Sequence, residues 1–134
     1  MAKNILVDLN VILDVLMDRP GHQASQSVLE LQQTRGYAIF ISGHIVTTFA
    51  YLLEHAKVPN AEINRQVSWL LETFSVVPTD FDILKDAVVS RIIDYEDAVI
   101  EQAALMCNAS HIITRNLKDF KLSAVEAITP ESLL

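Results

Sequence analysis

The stretch Ile5-Leu6-Val7-Asp8-Leu9-Asn10-Val11-Ile12-Leu13-Asp14 decides the fold. Its first three residues form a continuous apolar run, as in a strand covered on both faces, and the run ends on a carboxylate. Four more short runs read the same way: Ala38-Ile39-Phe40-Ile41, Ser75-Val76-Val77, His111-Ile112-Ile113 and, least marked, Ala124 to Ile128. Parallel strands need long crossover connections, which are usually helical. The intervening segments have the period of helices. His22 to Gln33 aligns Ala24, Val28 and Leu31, and Gly43 to Ala56 aligns Ile45, Phe49, Leu52, Leu53 and Ala56. Asn60 is the expected cap of a helix carrying Ile63, Val67, Leu70, Leu71 and Phe74, and Asp80 that of a helix through Val88. Asp94 to Cys107 is rich in small residues suited to close packing, and Thr129-Pro130 reads as the cap and first residue of a last turn. The expected fold is an α/β/α sandwich around a mostly parallel sheet of about five strands, in one domain over residues 1–134.

Composition narrows the function. The 134 residues are 51% apolar and 20% charged, with 3 Gly, 4 Pro and one cysteine, Cys107. Disorder and disulfide scaffolds are excluded, and a reducing, cytoplasmic setting is expected. No apolar run approaches a bilayer span, and no signal peptide is expected at the start. The three glycines are too scattered for a glycine-rich phosphate loop. With 10 Lys+Arg against 17 Asp+Glu the net charge is −7, which disfavours sequence-independent phosphate binding. A nucleic-acid substrate would need a local basic surface, a metal or a partner.

Ligands of parallel sheets bind beyond the carboxyl ends of the strands. Asp8 follows the first strand, Thr114-Arg115-Asn116-Leu117-Lys118-Asp119-Phe120 follows the fourth, and Asp94-Tyr95-Glu96-Asp97 opens the small-residue helix. Carboxylates gathered at one edge repel one another unless a cation sits among them, and Mg²⁺ or Mn²⁺ would remove that repulsion. Singly, Asp94 with Asp97, and Asn116 with Asp119, also fit cap-and-third-residue pairs at helix starts. Asp8 is harder to explain structurally, because a charge ending a central strand is costly without a partner. Asp14, Asp18, Glu72, Asp82, Asp86 and Glu131 read as solvated faces or caps. Glu101, one turn beyond Asp97, is a secondary candidate.

These three segments, in this order and spacing, resemble the PIN-domain ribonucleases, and the resemblance runs to Ile128-Thr129-Pro130-Glu131. It implies Mg²⁺- or Mn²⁺-dependent cleavage of RNA, and small members resemble VapC-like toxins, commonly dimeric and inhibited by an antitoxin protein. Carried over, Asp8, Asp97 and Asp119 would be the metal-binding, catalytic acids, with Asn10, Thr114 and Asn116 as supporting polar neighbours. The chain departs from the family at one point. Many members place a Glu in the helix after the second strand, and here that place falls near Thr48. Glu54 is nearly two turns later, which leaves Glu101 and Asp94 as substitutes.

Competing readings are weaker. Phosphotransferases of the haloacid-dehalogenase class need a second Asp where this chain has Asn10, and receiver domains need an acidic pair and a Lys. A degenerate PIN-like domain that binds RNA or a protein without cleavage fits the missing Glu and the negative charge. The four histidines lack metal-ligand spacing. Trp69 and Tyr51 are candidate interface aromatics. Arg115, beside Asn116 and Asp119, is expected to contact phosphate.

Overall fold

The computed structural model describes residues 3–134. Five strands, β1 (Asn4–Val7), β2 (Ala38–Ser42), β3 (Ser75–Val77), β4 (His111–Ile113) and β5 (Ala127–Ile128), form one sheet in the order β3-β2-β1-β4-β5. Every pairing is parallel, with Ile5 opposite Ile39 and His111, so all carboxyl ends share one edge. The weakest expected strand, Ala124 to Ile128, shrinks to two residues.

Alternation along β1 divides the core. Ile5 and Val7 point to a cluster with Ile39, Ile41 and Ile113, covered by α1 (Leu9–Leu16), α2 (His22–Leu29), α4 (Gly43–His55) and α5 (Asn60–Thr73). Leu6, Phe40 and Ile112 point to the other face, covered by α6 (Phe81–Val88) and α7 (Tyr95–Met106). Ala98, Ala103 and Ala104 are fully buried there, because alanines let a helix lie close against a sheet. The three-layer architecture is thus as expected from the sequence.

Local differences have identifiable causes. The helix expected over 22–33 breaks at Glu30 into α2 and α3 (Leu31–Arg35), and α3 stops at Gly36, whose φ of 67° only glycine adopts easily. Helix α5 is capped by Pro59 rather than Asn60. Asp80, Asp94 and Thr129 cap as expected, accepting hydrogen bonds from the backbone amides of Ile83, Asp97 and Ser132. Helix α8 (Pro130–Leu133) closes the chain. Among the described residues no helix is long and apolar enough to cross a membrane.

Candidate metal centre

Asp8 sits where β1 stops and α1 begins. Its own amide extends the ladder to the Ile113 carbonyl at 2.9 Å, and its carbonyl accepts from Val11 at 3.1 Å. The residue thus serves as the last rung of the sheet and the first of the helix, which fixes its side chain at the carboxyl edge. Only 8% of its surface is exposed. Burial pushes its carboxyl above the usual aspartate range, partly offset by the Thr114 hydroxyl and the Leu9 amide. The Thr114 hydroxyl donates to Asp8 Oδ2 at 2.9 Å, and its oxygen accepts the Asn116 amide at 3.0 Å. Fully buried Thr114 therefore couples the end of β1 to the loop after β4. The Asn116 side-chain amide donates to Asp119 Oδ2, which orients the acid on the 3-10 turn Leu117–Phe120.

Asp97 lies in the first turn of α7, half-exposed, and its carboxyl is pushed up to about 7. Burial contributes most, followed by the charges of Asp94, Asp119, Asp8 and Glu96. Acids from three separate parts of the chain thus act on one carboxyl. No Lys or Arg makes an ion pair with Asp8, Asp97 or Asp119 among the described residues. Oxygen donors with uncompensated negative charge suit a hard divalent cation. Among the described residues no three His, Cys, Asp or Glu side chains are close enough to enclose an ion by themselves. The donor set therefore fits an ion that keeps several of its waters, as Mg²⁺ commonly does with one or two carboxylates, and does not fit an all-protein cage.

The other expected residues separate into two groups. Asn10 is exposed on the first turn of α1, beside the cluster in sequence. Asp94 caps α7 through its Oδ1 at 3.0 Å from the Asp97 amide, and its charge also acts on Asp97. Thr48 stands part-buried in α4, its hydroxyl on the His44 carbonyl at 3.4 Å. Glu101 does not join the cluster. It is buried, accepting from the Ser90 hydroxyl at 2.6 Å and from the Ala124 amide at 2.8 Å, so it ties the segment before α7 to the one before β5.

Arg115 is a correction. Its guanidinium donates to Asp14 Oδ2 at 2.6 Å, Glu131 Oε1 at 2.9 Å, the Gly21 carbonyl at 2.8 Å and Ser25 Oγ at 3.2 Å. With each of its nitrogens donating inside the protein, it is a clamp joining α1, α2 and α8, not a phosphate contact. Asp14 is likewise buried, with its side chain held by Arg115, by Ser25 at 3.2 Å and by Arg19 at 3.8 Å. Gly21 is required here: its φ is 85°, and a Cβ would lie 2.7 Å from Arg115 Nη2.

Two residues escaped the sequence reading. Glu96 acts on both Asp8 and Asp97, and its place beside Asp97 was the available signal. His44 follows β2, accepts or donates at Ser42 Oγ (2.7 Å) through Nδ1, and leaves Nε2 buried with no partner. Burial holds its pKa below the usual histidine value, with Glu96 acting in the opposite direction. Trp69 makes an edge-on contact with Phe74 at 5.8 Å, while Tyr51 stacks on His55.

Comparisons with known proteins agree with this geometry. The fold matches a toxin–antitoxin complex from Klebsiella pneumoniae at a TM-score of 0.71 and 22% identity, covering 94% of this chain and 97% of that one. It matches VapBC2 from Rickettsia felis, solved with a DNA fragment from its promoter, at 0.74 and 16% identity, covering 94% and 98%. It matches the sarcin-ricin-loop-cleaving toxin VapC20 of Mycobacterium tuberculosis at 0.60 and 16% identity, covering 81% and 86%. No curated protein matches the sequence. At these identities the structural matches establish the fold alone. The family model described as the PIN domain matches residues 4–118, most of the chain and nearly all of the acid cluster, and this chain belongs to that family.

Proposed function

We propose that this chain is a Mg²⁺- or Mn²⁺-dependent endoribonuclease, acting as a single domain over residues 1–134 and serving as the toxin of a toxin–antitoxin pair. The observation that carries this reading is the crowding of Asp94, Asp119, Asp8 and Glu96 around Asp97. The toxin–antitoxin titles of the matched structures support an antitoxin partner. A homodimer or larger assembly in the cytoplasm belongs to the same reading.

Asp8, Asp97 and Asp119 would hold the ion. When bound, it supplies positive charge that acidifies an attacking water and stabilises the departing oxygen of the phosphodiester. The chain's own groups prepare the site. Thr114 fixes the Asp8 carboxylate and, through the Asn116 amide, the loop that carries Asp119. Asn116 restrains Asp119 in turn. Asp97 retains a proton near neutrality until a cation replaces it. Asn10, exposed beside Asp8, is available to orient water or substrate.

The test is Mn²⁺-dependent cleavage of single-stranded RNA by purified protein. Asp8→Asn is expected to lower the rate by at least about 100-fold, more than the loss of a residue that only supports a ligand. The second reading, RNA binding without cleavage, is favoured by Thr48 standing where the family's Glu falls. Absence of Mn²⁺-dependent cleavage in the wild type, with RNA binding retained, would select it.

A further inference from the structure

A surface groove of about 620 Å³ opens beside the acid cluster, between residues 92–94 and residues 118–122. Asp94 and Asp119 belong both to its lining and to the set of charges acting on Asp97, so groove and cluster are continuous. Its other residues are of two kinds. Ile92, Ile93 and Leu122 are apolar, and Ile93 is 97% exposed immediately before the cap of α7. Lys118 and Lys121 are cations, two of only 10 in a chain of net charge −7. Neither lysine makes an ion pair among the described residues.

A protruding isoleucine without packing contacts has no folding rationale, and its volume class is that of small-molecule sites. Apolar side chains beside paired cations suit a nucleotide of a single strand, whose base lies against the apolar surface while its phosphate meets the cations. We propose that this groove receives the nucleoside adjoining the scissile phosphate, with its base against Ile93 and Leu122 and the next backbone phosphate on Lys118 and Lys121. The inference rests on the ribonuclease reading and adds where the substrate lies. It also answers the charge problem: a strongly acidic chain attracts RNA through one local pair of lysines next to the site that cuts it. A polypeptide partner is less well matched, because two acids and two lysines alternate in charge around the groove while the acid cluster continues it on one side only.

The experiment is steady-state cleavage of a labelled single-stranded RNA in Mn²⁺. It compares the wild type, Ile93→Ser, the double variant Lys118→Ala/Lys121→Ala, and Arg35→Ala as an exposed control at the opposite edge of the sheet. The double variant is expected to raise KM about tenfold with kcat within about twofold, and to lower the salt slope of log KM by about 1.4, or 0.7 per lost phosphate contact. Ile93→Ser is expected to raise KM about three- to tenfold with no change in salt slope. Arg35→Ala should match the wild type. Wild-type cleavage with unchanged KM in both groove variants would overturn this inference and leave the ribonuclease reading intact. Unchanged KM with loss of self-association or of a partner protein would assign the groove to a protein and also overturn it. No wild-type cleavage would overturn both readings, and the wild-type lane alone separates that outcome from the others.

Discussion

Asp97→Asn removes the most crowded charge in the cluster, and its effect on stability can be worked out with its sign. The folded state holds the Asp97 carboxyl at about 7, against an ordinary value of 3.8. Between those values the folded protein binds more protons than the unfolded chain, so stability falls as pH rises through the window. The penalty is absent below about pH 4 and complete above about pH 7. A rise of this size corresponds to at most about 4 kcal/mol. Because the side chain is half-exposed, solvent screening reduces this to ~1–2 kcal/mol. A carboxylate in the first turn of α7 also gains ~0.3–1 kcal/mol from the helix N-terminus, which asparagine gives up. The expected net gain for Asp97→Asn is therefore ~1 kcal/mol at about pH 8, or about 3 °C in Tm for a domain of this size. Thermal melts in EDTA near pH 4 and pH 8 measure it. The variant should melt higher at the upper pH and coincide with wild type at the lower. Mn²⁺ should reverse the order, since at a hundredfold excess over Kd a ligand adds about 2.7 kcal/mol to the protein that binds it. A variant less stable than wild type in EDTA at pH 8, or offset equally at both pH values, would refute the crowding argument.

Other perturbations separate the site from the frame that holds it. Thr114→Val leaves buried Asp8 without its hydroxyl donor and Asn116 without its acceptor, and is expected to cost ~1–3 kcal/mol in urea unfolding and to weaken Mn²⁺ binding in calorimetry. Arg115→Ala strands the Asp14 carboxylate with only Ser25 and a distant Arg19; a loss of ~2–4 kcal/mol by denaturation is expected, with KM for RNA unchanged per folded molecule. Glu101→Ala unties the Ala124 amide and Ser90, costing ~2–3 kcal/mol and raising amide exchange at 121–125, while Mn²⁺ affinity stays within about threefold.

The readable and unreadable parts of this chain divide by interaction range. Strands β1 to β4 were legible because a continuous apolar run is a local signal, and their shared edge followed from the helical segments between them. Asp8, Asp97 and Asp119 were legible as strand- and helix-end acids, and their mutual influence agrees with that placement. Helix α1 was hidden, since Leu9 to Leu13 reads equally as a continuation of the strand; the turn at Asp8 separates the two. Arg115 was misread because its neighbours in sequence, Asn116 and Asp119, are not its partners in space. Those partners, Asp14 and Glu131, lie 101 and 16 residues away. Asp14 itself was taken for a solvated face because nothing local reveals that a distant guanidinium will bury it. Glu101 faces the wrong way for the cluster although it stands one turn from Asp97.

The most direct measurement is an anomalous-scattering map from crystals grown or soaked with Mn²⁺. The account predicts a peak in contact with carboxylate oxygens of Asp8, Asp97 and Asp119, directly or through one water, and its loss in Asp97→Asn. Ordered carboxylates with no peak among them at Mn²⁺ concentrations that support RNA cleavage, or a peak held by other residues, would contradict it.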